Sequence, residues 1–110
     1  MIVDKDKNIT LITQKKASIK TLANSIEQAY NIHKDQHLII NLLDLDKITI
    51  KDITAFLQLS ITHRSNKKSF VIVSSKVDLD HMPDQIIVVP TLQEAQDVIE
   101  MEAMERDLGF

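Results

Sequence analysis

The side chains of this 110-residue sequence that could hold a metal ion fall into three small groups. Asp44 and Asp46 follow an apolar segment, just past the end of a predicted strand, where open α/β folds place ligands and two carboxylates could bind magnesium. The other groups are a loop cluster and a histidine pair: Asp78, Asp80 and His81, and His33 and His37. A predicted helix end separates the two histidines, so they need not lie on one face. No further ligands accompany any of the groups. We therefore predict solvated turns and no metal site.

Catalytic chemistry is equally poorly represented. The serine hydroxyls lack an evident base or oxyanion pocket nearby in sequence: Ser60, Ser65, Ser69, Ser74 and Ser75. The single glycine is Gly109, so a P-loop, a dinucleotide fingerprint and a G-x-S-x-G elbow are all absent. The chain has no cysteine to act as a nucleophile or zinc ligand, and it lacks the H-x-H-x-D-H pattern of metallo-hydrolases. We therefore expect no enzyme, no catalytic residue and no cofactor.

A small basic group could contact phosphates. It consists of Arg64, Lys67 and Lys68, in a chain whose net charge is −3. Aromatic residues make up 4% of the sequence and no stacking motif accompanies the basic group, so a solvated turn between a helix and a strand is favoured. A nucleic-acid-associated accessory protein that uses this basic turn is kept as the alternative function.

Three helices are predicted to position these side chains. The first has Ser18 as its N-cap and ends near Ile32, because apolar residues between them follow helical spacing. The second starts at Thr49-Ile50-Lys51-Asp52, which has the form of a capping box, and the polar residues 63–68 end it. A second capping box, Thr91-x-x-Glu94, starts the last helix.

Five strands complete the predicted α/β fold. A turn at residues 4–8 joins a first strand to a second at residues 9–12. Three apolar runs predict buried strands at residues 37–43, 69–73 and 85–89. The order is ββαβαβ(α)βα, in which (α) stands for a short segment between the last two strands. This order implies a mixed, mostly parallel sheet with an N-terminal hairpin and helices packed on it. We expect these residues in the core: Leu22, Ile26, Ile40, Leu42, Phe56, Leu57, Val71, Val88 and Ile99.

Residues 38–53, LIINLLDLDKITIKDI, resemble the central motif of the STAS domain. This is the fold of bacterial anti-sigma-factor antagonists and of the cytoplasmic part of sulfate transporters. The family pattern is an apolar strand, Asp or Asn, Leu, a short link, an apolar residue, and then Asp-Ser-x-Gly-Leu opening a helix. The resemblance continues through the strands at 70–73 and 86–89 and the helix start at 90–95, so it covers the whole chain in element order.

The phosphorylation motif of that family is changed in this chain. Thr49 stands where the family has Asp, Ile50 replaces the phosphorylatable Ser, Lys51 follows, and Asp52 replaces Gly. In the family, phosphorylation places a charge of about −1.5 to −2 at a helix N-terminus and breaks a contact with a partner protein. The resemblance therefore implies a STAS-like fold and a partner-binding surface without the serine switch. That surface comprises Thr49, Ile50, Lys51, Asp52 and Ile53.

Together these patterns predict one STAS-like domain over residues 1–110, a non-catalytic regulatory module that binds another protein. The start of the chain, MIVDKDKNIT, has no apolar segment typical of a signal peptide, and no apolar run reaches the roughly 20 residues that span a bilayer. We expect a cytoplasmic protein of bacterial type with no membrane partner. Nucleic acid is disfavoured as a partner, and a homo-oligomer is left open.

Overall fold

A computed structural model describes residues 2–15, 18–45, 48–76 and 82–109. Within these ranges the chain forms five strands and five helices. The strands are β1 (Ile2–Asp6), β2 (Ile9–Thr13), β3 (His37–Asn41), β4 (Phe70–Val73) and β5 (Ile87–Val89). The helices are α1 (Ile19–Gln28), α2 (Tyr30–His33), α3 (Ile50–Thr54), α4 (Leu57–Ser65) and α5 (Leu92–Asp107).

The strands form one sheet in the order β1-β2-β3-β4-β5. β1 pairs with β2 in antiparallel fashion, and the remaining neighbours are parallel. The α/β class and the mixed, mostly parallel sheet are therefore confirmed. So is the adjacent, parallel arrangement of the three apolar strands, with the hairpin extending the sheet.

Helices cover both faces of the sheet. Because side chains alternate along a strand, Leu38 and Ile40 of β3 join the core on the α1, α3 and α4 side, whereas Ile39 joins the core beneath α5. Every residue of β4 is buried, as expected for a central strand covered on both sides. Of the predicted core residues, Leu57 and Val88 are only partly buried, at the margin of the larger core.

Two predicted helices are each divided in the structure. α1 ends at Gln28, and the short α2 follows after the single cap residue Ala29. Between α3 and α4 the chain makes a tight turn, in which the N–H of Phe56 donates to the Ile53 carbonyl at 3.0 Å. This turn carries Phe56 into the core, where its ring centroid lies 6.2 Å from that of Phe70. The burial of Phe56 thus offsets the interruption of helical hydrogen bonding.

The N-terminal hairpin has a shorter turn than predicted. β1 extends to Asp6, and only Lys7 and Asn8 lie between the strands, with Lys7 at a φ of 55°. All side chains of β1 are exposed. Charged residues on such an edge strand disfavour pairing with another chain.

Some predictions fall outside the described residues. These are Asp46, Asp78, Asp80 and His81, the last three within the segment between β4 and β5 for which a short helix (α) was predicted. The described residues of that segment, 74–76 and 82–86, form no helix. None of the helices that the structure describes is both long enough and apolar enough to cross a membrane.

Candidate functional site

The start of α3 is held by two reciprocal hydrogen bonds. The Thr49 hydroxyl oxygen accepts from the Asp52 backbone N–H at 3.1 Å, and the Asp52 carboxylate accepts from the Thr49 N–H at 3.0 Å. The predicted capping box is therefore confirmed. Because the first N–H groups of a helix lack partners within the helix, this box satisfies two backbone donors and fixes where α3 begins.

The predicted partner surface, residues 49–53, is divided between solvent and core. Thr49 and Lys51 are exposed, and Ile50 and Asp52 are half-buried. Ile53 is 0% exposed and belongs to the larger core. Its side chain therefore anchors α3 to the domain, and the outward surface consists of the other four residues.

A groove between α1 and α3 borders this surface. Its volume is about 570 Å³. Ala23 and Ala55 supply small side chains, while Lys20, Lys51 and Asp52 supply charge. Lys51 and Asp52 belong both to the groove and to the capped turn. The turn and the groove therefore form one continuous surface, with polar and apolar parts, that a partner could contact.

At the carboxyl end of β3, the side-chain hydrogen bonds of the described residues are local. The Asn41 side-chain oxygen accepts from the Leu43 N–H at 3.1 Å, and Asp44 is exposed in the turn that follows. Within residues 2–15, 18–45, 48–76 and 82–109, no three histidine or acidic side chains are grouped so that they could hold a metal ion.

A buried histidine that the sequence reasoning missed lies at the other end of the sheet. His63 of α4 is 0% exposed, and its Nε2 lies 2.6 Å from the Gln36 carbonyl oxygen. A carbonyl oxygen can only accept, so Nε2 carries the proton, and Nδ1 accepts from the Tyr30 hydroxyl at 2.7 Å. Asn66 donates to the same hydroxyl at 3.1 Å. Burial lowers the pKa of His63 to about 4, which keeps the ring neutral.

His33 and His37, the histidine pair of the sequence analysis, are also buried. The Nδ1 of His37, at the start of β3, accepts from the Ser69 N–H at 2.9 Å. Burial, reinforced by Lys68, lowers the pKa of His37. Burial also lowers the pKa of His33, with a further contribution from Lys5. All three rings are thus held neutral near pH 7. The rings of His63 and His37 form hydrogen bonds within the fold, whereas Nδ1 of His33 is buried without a partner among the described residues.

The basic turn is connected to α5 through Glu102. Both terminal nitrogens of Arg64 donate to the Glu102 carboxylate, and the Ser69 hydroxyl donates to it at 2.6 Å. Burial would raise the pKa of Glu102, but hydrogen bonds from Arg64 and Ser69 outweigh burial and lower it. Of the three basic residues kept as the alternative phosphate-binding turn, Arg64 therefore has a carboxylate partner, Lys67 is exposed and Lys68 is half-buried.

A periodic signal could have identified His63. Phe56, Leu59, Ser60 and His63 are spaced as one face of a helix, and all four are buried. A polar residue type at the last position led instead to the prediction that the helix ends there. The Arg64–Glu102 pair joins residues 38 positions apart, and no local pattern in one sequence indicates such a contact.

Comparison with models of known protein families finds no match, and comparison with curated proteins finds none either.

Proposed function

We propose that this chain is a STAS-like, non-catalytic module that regulates another protein by binding it. The contact surface is the outward part of the capped turn, Thr49 to Asp52, together with the adjoining groove between α1 and α3. In this proposal the protein works in the cytoplasm of a bacterial cell, and the partner is a protein. The observation that carries the proposal is the continuity of the turn with that groove.

The composition of the surface supports protein binding. Ile50 offers apolar area at the centre of the turn, while Lys20, Lys51 and Asp52 provide charges around it. Protein interfaces commonly combine an apolar centre with a polar rim. The mixed sheet, with helices on both faces, provides the rigid support that such a surface needs.

The proposed module binds without a phosphorylation switch. Ile50 has no hydroxyl, and the neighbouring Thr49 oxygen accepts a backbone hydrogen bond. Phosphorylation of Thr49 would have to replace this cap. The proposal therefore predicts an unmodified protein when it is isolated from its own cells.

The experiment is affinity capture from the native organism with three versions of the chain: wild type, Ile50→Asp and Ile61→Asp. Aspartate at position 50 suits the N-terminus of α3, so the variant should fold while losing apolar contact area. Ile61 is an exposed isoleucine of α4, and it provides the matched control. We expect a protein that is captured by wild type and Ile61→Asp and is lost with Ile50→Asp.

Intact-mass measurement of the native protein completes this test. A mass equal to that of the unmodified chain supports an unswitched module. Equal capture by all three versions would contradict the proposed surface, and a phosphate on Thr49 would contradict the proposed absence of a switch.

A further inference from the structure

A basic cavity lies where the ends of α4 and α5 meet. Its volume is about 320 Å³, and Arg64, Lys67, Arg106 and Gly109 line it. Arg64 belongs to α4, Lys67 to the turn that follows, and Arg106 to α5. Three cationic side chains from separate parts of the chain therefore converge on one concave site. Of these three, the sequence pattern had indicated only Arg64 and Lys67.

Glu102 holds the two arginines in place. It accepts from both terminal nitrogens of Arg64 and lies 3.9 Å from Nη2 of Arg106. The Nη1 of Arg106 donates to the Ser69 hydroxyl at 3.2 Å, and that hydroxyl donates to Glu102. Each guanidinium has five N–H donors, so these contacts orient it while leaving donors for a ligand. Among the described side chains at this site, three cations face one carboxylate.

Lys67 occupies a backbone conformation in which glycine is the usual residue. Its φ is 63°, and it follows the last turn of α4 in a Schellman motif. In this motif the Lys67 N–H donates to the Arg64 carbonyl at 3.0 Å and the Lys68 N–H donates to the His63 carbonyl at 3.2 Å. A side chain at such a position is conformationally unfavourable. The sequence nevertheless places there a lysine that lines the cavity.

We propose that this cavity binds a phosphate group carried by a small ligand. Guanidinium groups match the oxygens of a phosphate geometrically, and an ammonium adds a compact charge. The volume falls at the lower end of the range for small-molecule sites, roughly 300–1,000 Å³, which accommodates a phosphate and a small attached group. Cations that converge on one concavity suit one anion, whereas a nucleic acid needs contacts to successive phosphates.

The structure provides a matched pair of variants for the test, Lys67→Gly and Lys7→Gly. Lys7 is the other described lysine with a positive φ, at 55° in the N-terminal hairpin. Each change removes one positive charge and relieves the same kind of backbone strain. Only Lys67 lines the cavity, so the pair separates loss of the site from loss of general charge.

Binding is measured by calorimetric titration with inorganic phosphate and with pyrophosphate, at constant ionic strength set with chloride. We expect saturable binding of at least one probe to wild type and to Lys7→Gly, weakened about tenfold in Lys67→Gly because one charge-assisted contact is lost. A single-stranded oligonucleotide is titrated in parallel at two salt concentrations.

Three outcomes would overturn the proposal. One is no saturation by either probe at about 10 mM, ten times a weak dissociation constant of about 1 mM. Another is equal affinity of the two glycine variants. The third is binding of the oligonucleotide alone with a steep salt dependence, which would indicate a nucleic-acid surface. None of these measurements depends on the proposed partner surface at α3.

Discussion

The two ends of the parallel sheet are built from different kinds of contact. Beyond the carboxyl end of β3, the hydrogen bonds that side chains of the described residues form are local, between residues two or three positions apart, as in the Asn41 turn and the Thr49–Asp52 capping box. At the amino ends of β3 and β4, polar contacts join distant residues. Tyr30 bonds to His63 across 33 positions, and Arg64 bonds to Glu102 across 38.

The proposed partner surface and the polar contacts of His63 and Glu102 therefore lie at opposite ends of the sheet. In open α/β folds, ligands usually bind at the carboxyl ends of the strands. Here the carboxyl end leads into the exposed turn proposed for protein contact, whereas converging charges and neutral histidines occupy the amino end. Variants at the two ends should therefore fail in different ways.

The largest expected loss of stability comes from truncating Phe56, a core residue that lies between the two ends of the sheet. Phe56 follows α3, and its ring packs near Phe70 at the start of β4. Phe56→Ala should lower the free energy of unfolding by about 3–5 kcal/mol, because it deletes a fully buried ring. Chemical denaturation measures this. Leu57→Ala, at a partly buried neighbour, is the control and should have a clearly smaller effect; equal effects would contradict the placement of Phe56.

The next largest effect is a pH dependence of the unfolding free energy, which His63 causes near the amino ends of β3 and β4. Burial lowers the pKa of His63 from its ordinary 6.5 to about 4 in the folded state, so the unfolded chain binds the proton more readily. The stability contributed by neutral His63 is present above pH 6.5 and is lost as the pH falls towards 4. At about 1.4 kcal/mol per pH unit, the loss between these two pH values amounts to about 3 kcal/mol.

A comparison with His63→Gln isolates this dependence. Denaturation of both proteins from pH 7 to 4 should show a steeper loss of stability for wild type, because glutamine does not titrate. Carboxylates such as Glu102 titrate in both proteins, so their contribution cancels in the difference. Parallel curves over this range would show that His63 is not the group responsible.

Beyond the carboxyl end of β3, loss of the Thr49 cap of α3 should lower the unfolding free energy by a smaller amount. This effect does not depend on the hydrogen bonds between distant residues at the amino ends of the strands. Thr49→Ala should lower the unfolding free energy by about 1 kcal/mol, since it removes the oxygen that accepts from Asp52. Thr54→Ala removes an exposed hydroxyl from the same helix and should be nearly neutral. If Thr49→Ala were equally neutral in urea denaturation, the capping box would not be stabilising α3.

The smallest predicted effects are gains in stability. Lys67→Gly and Lys7→Gly each relieve a positive φ and should raise the unfolding free energy by about 0.5–1 kcal/mol. A similar gain at both positions, measured by denaturation without added anions, would show that Lys67 is not retained for stability. Destabilisation by Lys67→Gly would mean instead that its side chain supports the fold.

Much of the fold could be predicted because its signals are local. Apolar runs indicated the three central strands, and Ser18, Thr49 and Thr91 marked the starts of α1, α3 and α5. The break between α3 and α4 could not be predicted, because residues 50–65 contain no glycine or proline that would mark it.

The candidate sites were predictable to different extents for the same reason. The capped turn is a short pattern of adjacent residues, and its geometry followed directly from the sequence. The burial of Ile53 is a consequence of how α3 rests on the core. The basic cavity needs Arg106 of α5 beside the turn after α4, and only the folded chain brings these elements together.

Hydrogen exchange of the chain with and without its captured partner tests the proposed function most directly. The amides of α3 and the neighbouring part of α1 should gain protection, because these elements border the groove. The turn around Lys67 should exchange at the same rate in both samples and serves as the internal control. Protection confined to that turn, with α3 unchanged, would contradict the proposed partner surface.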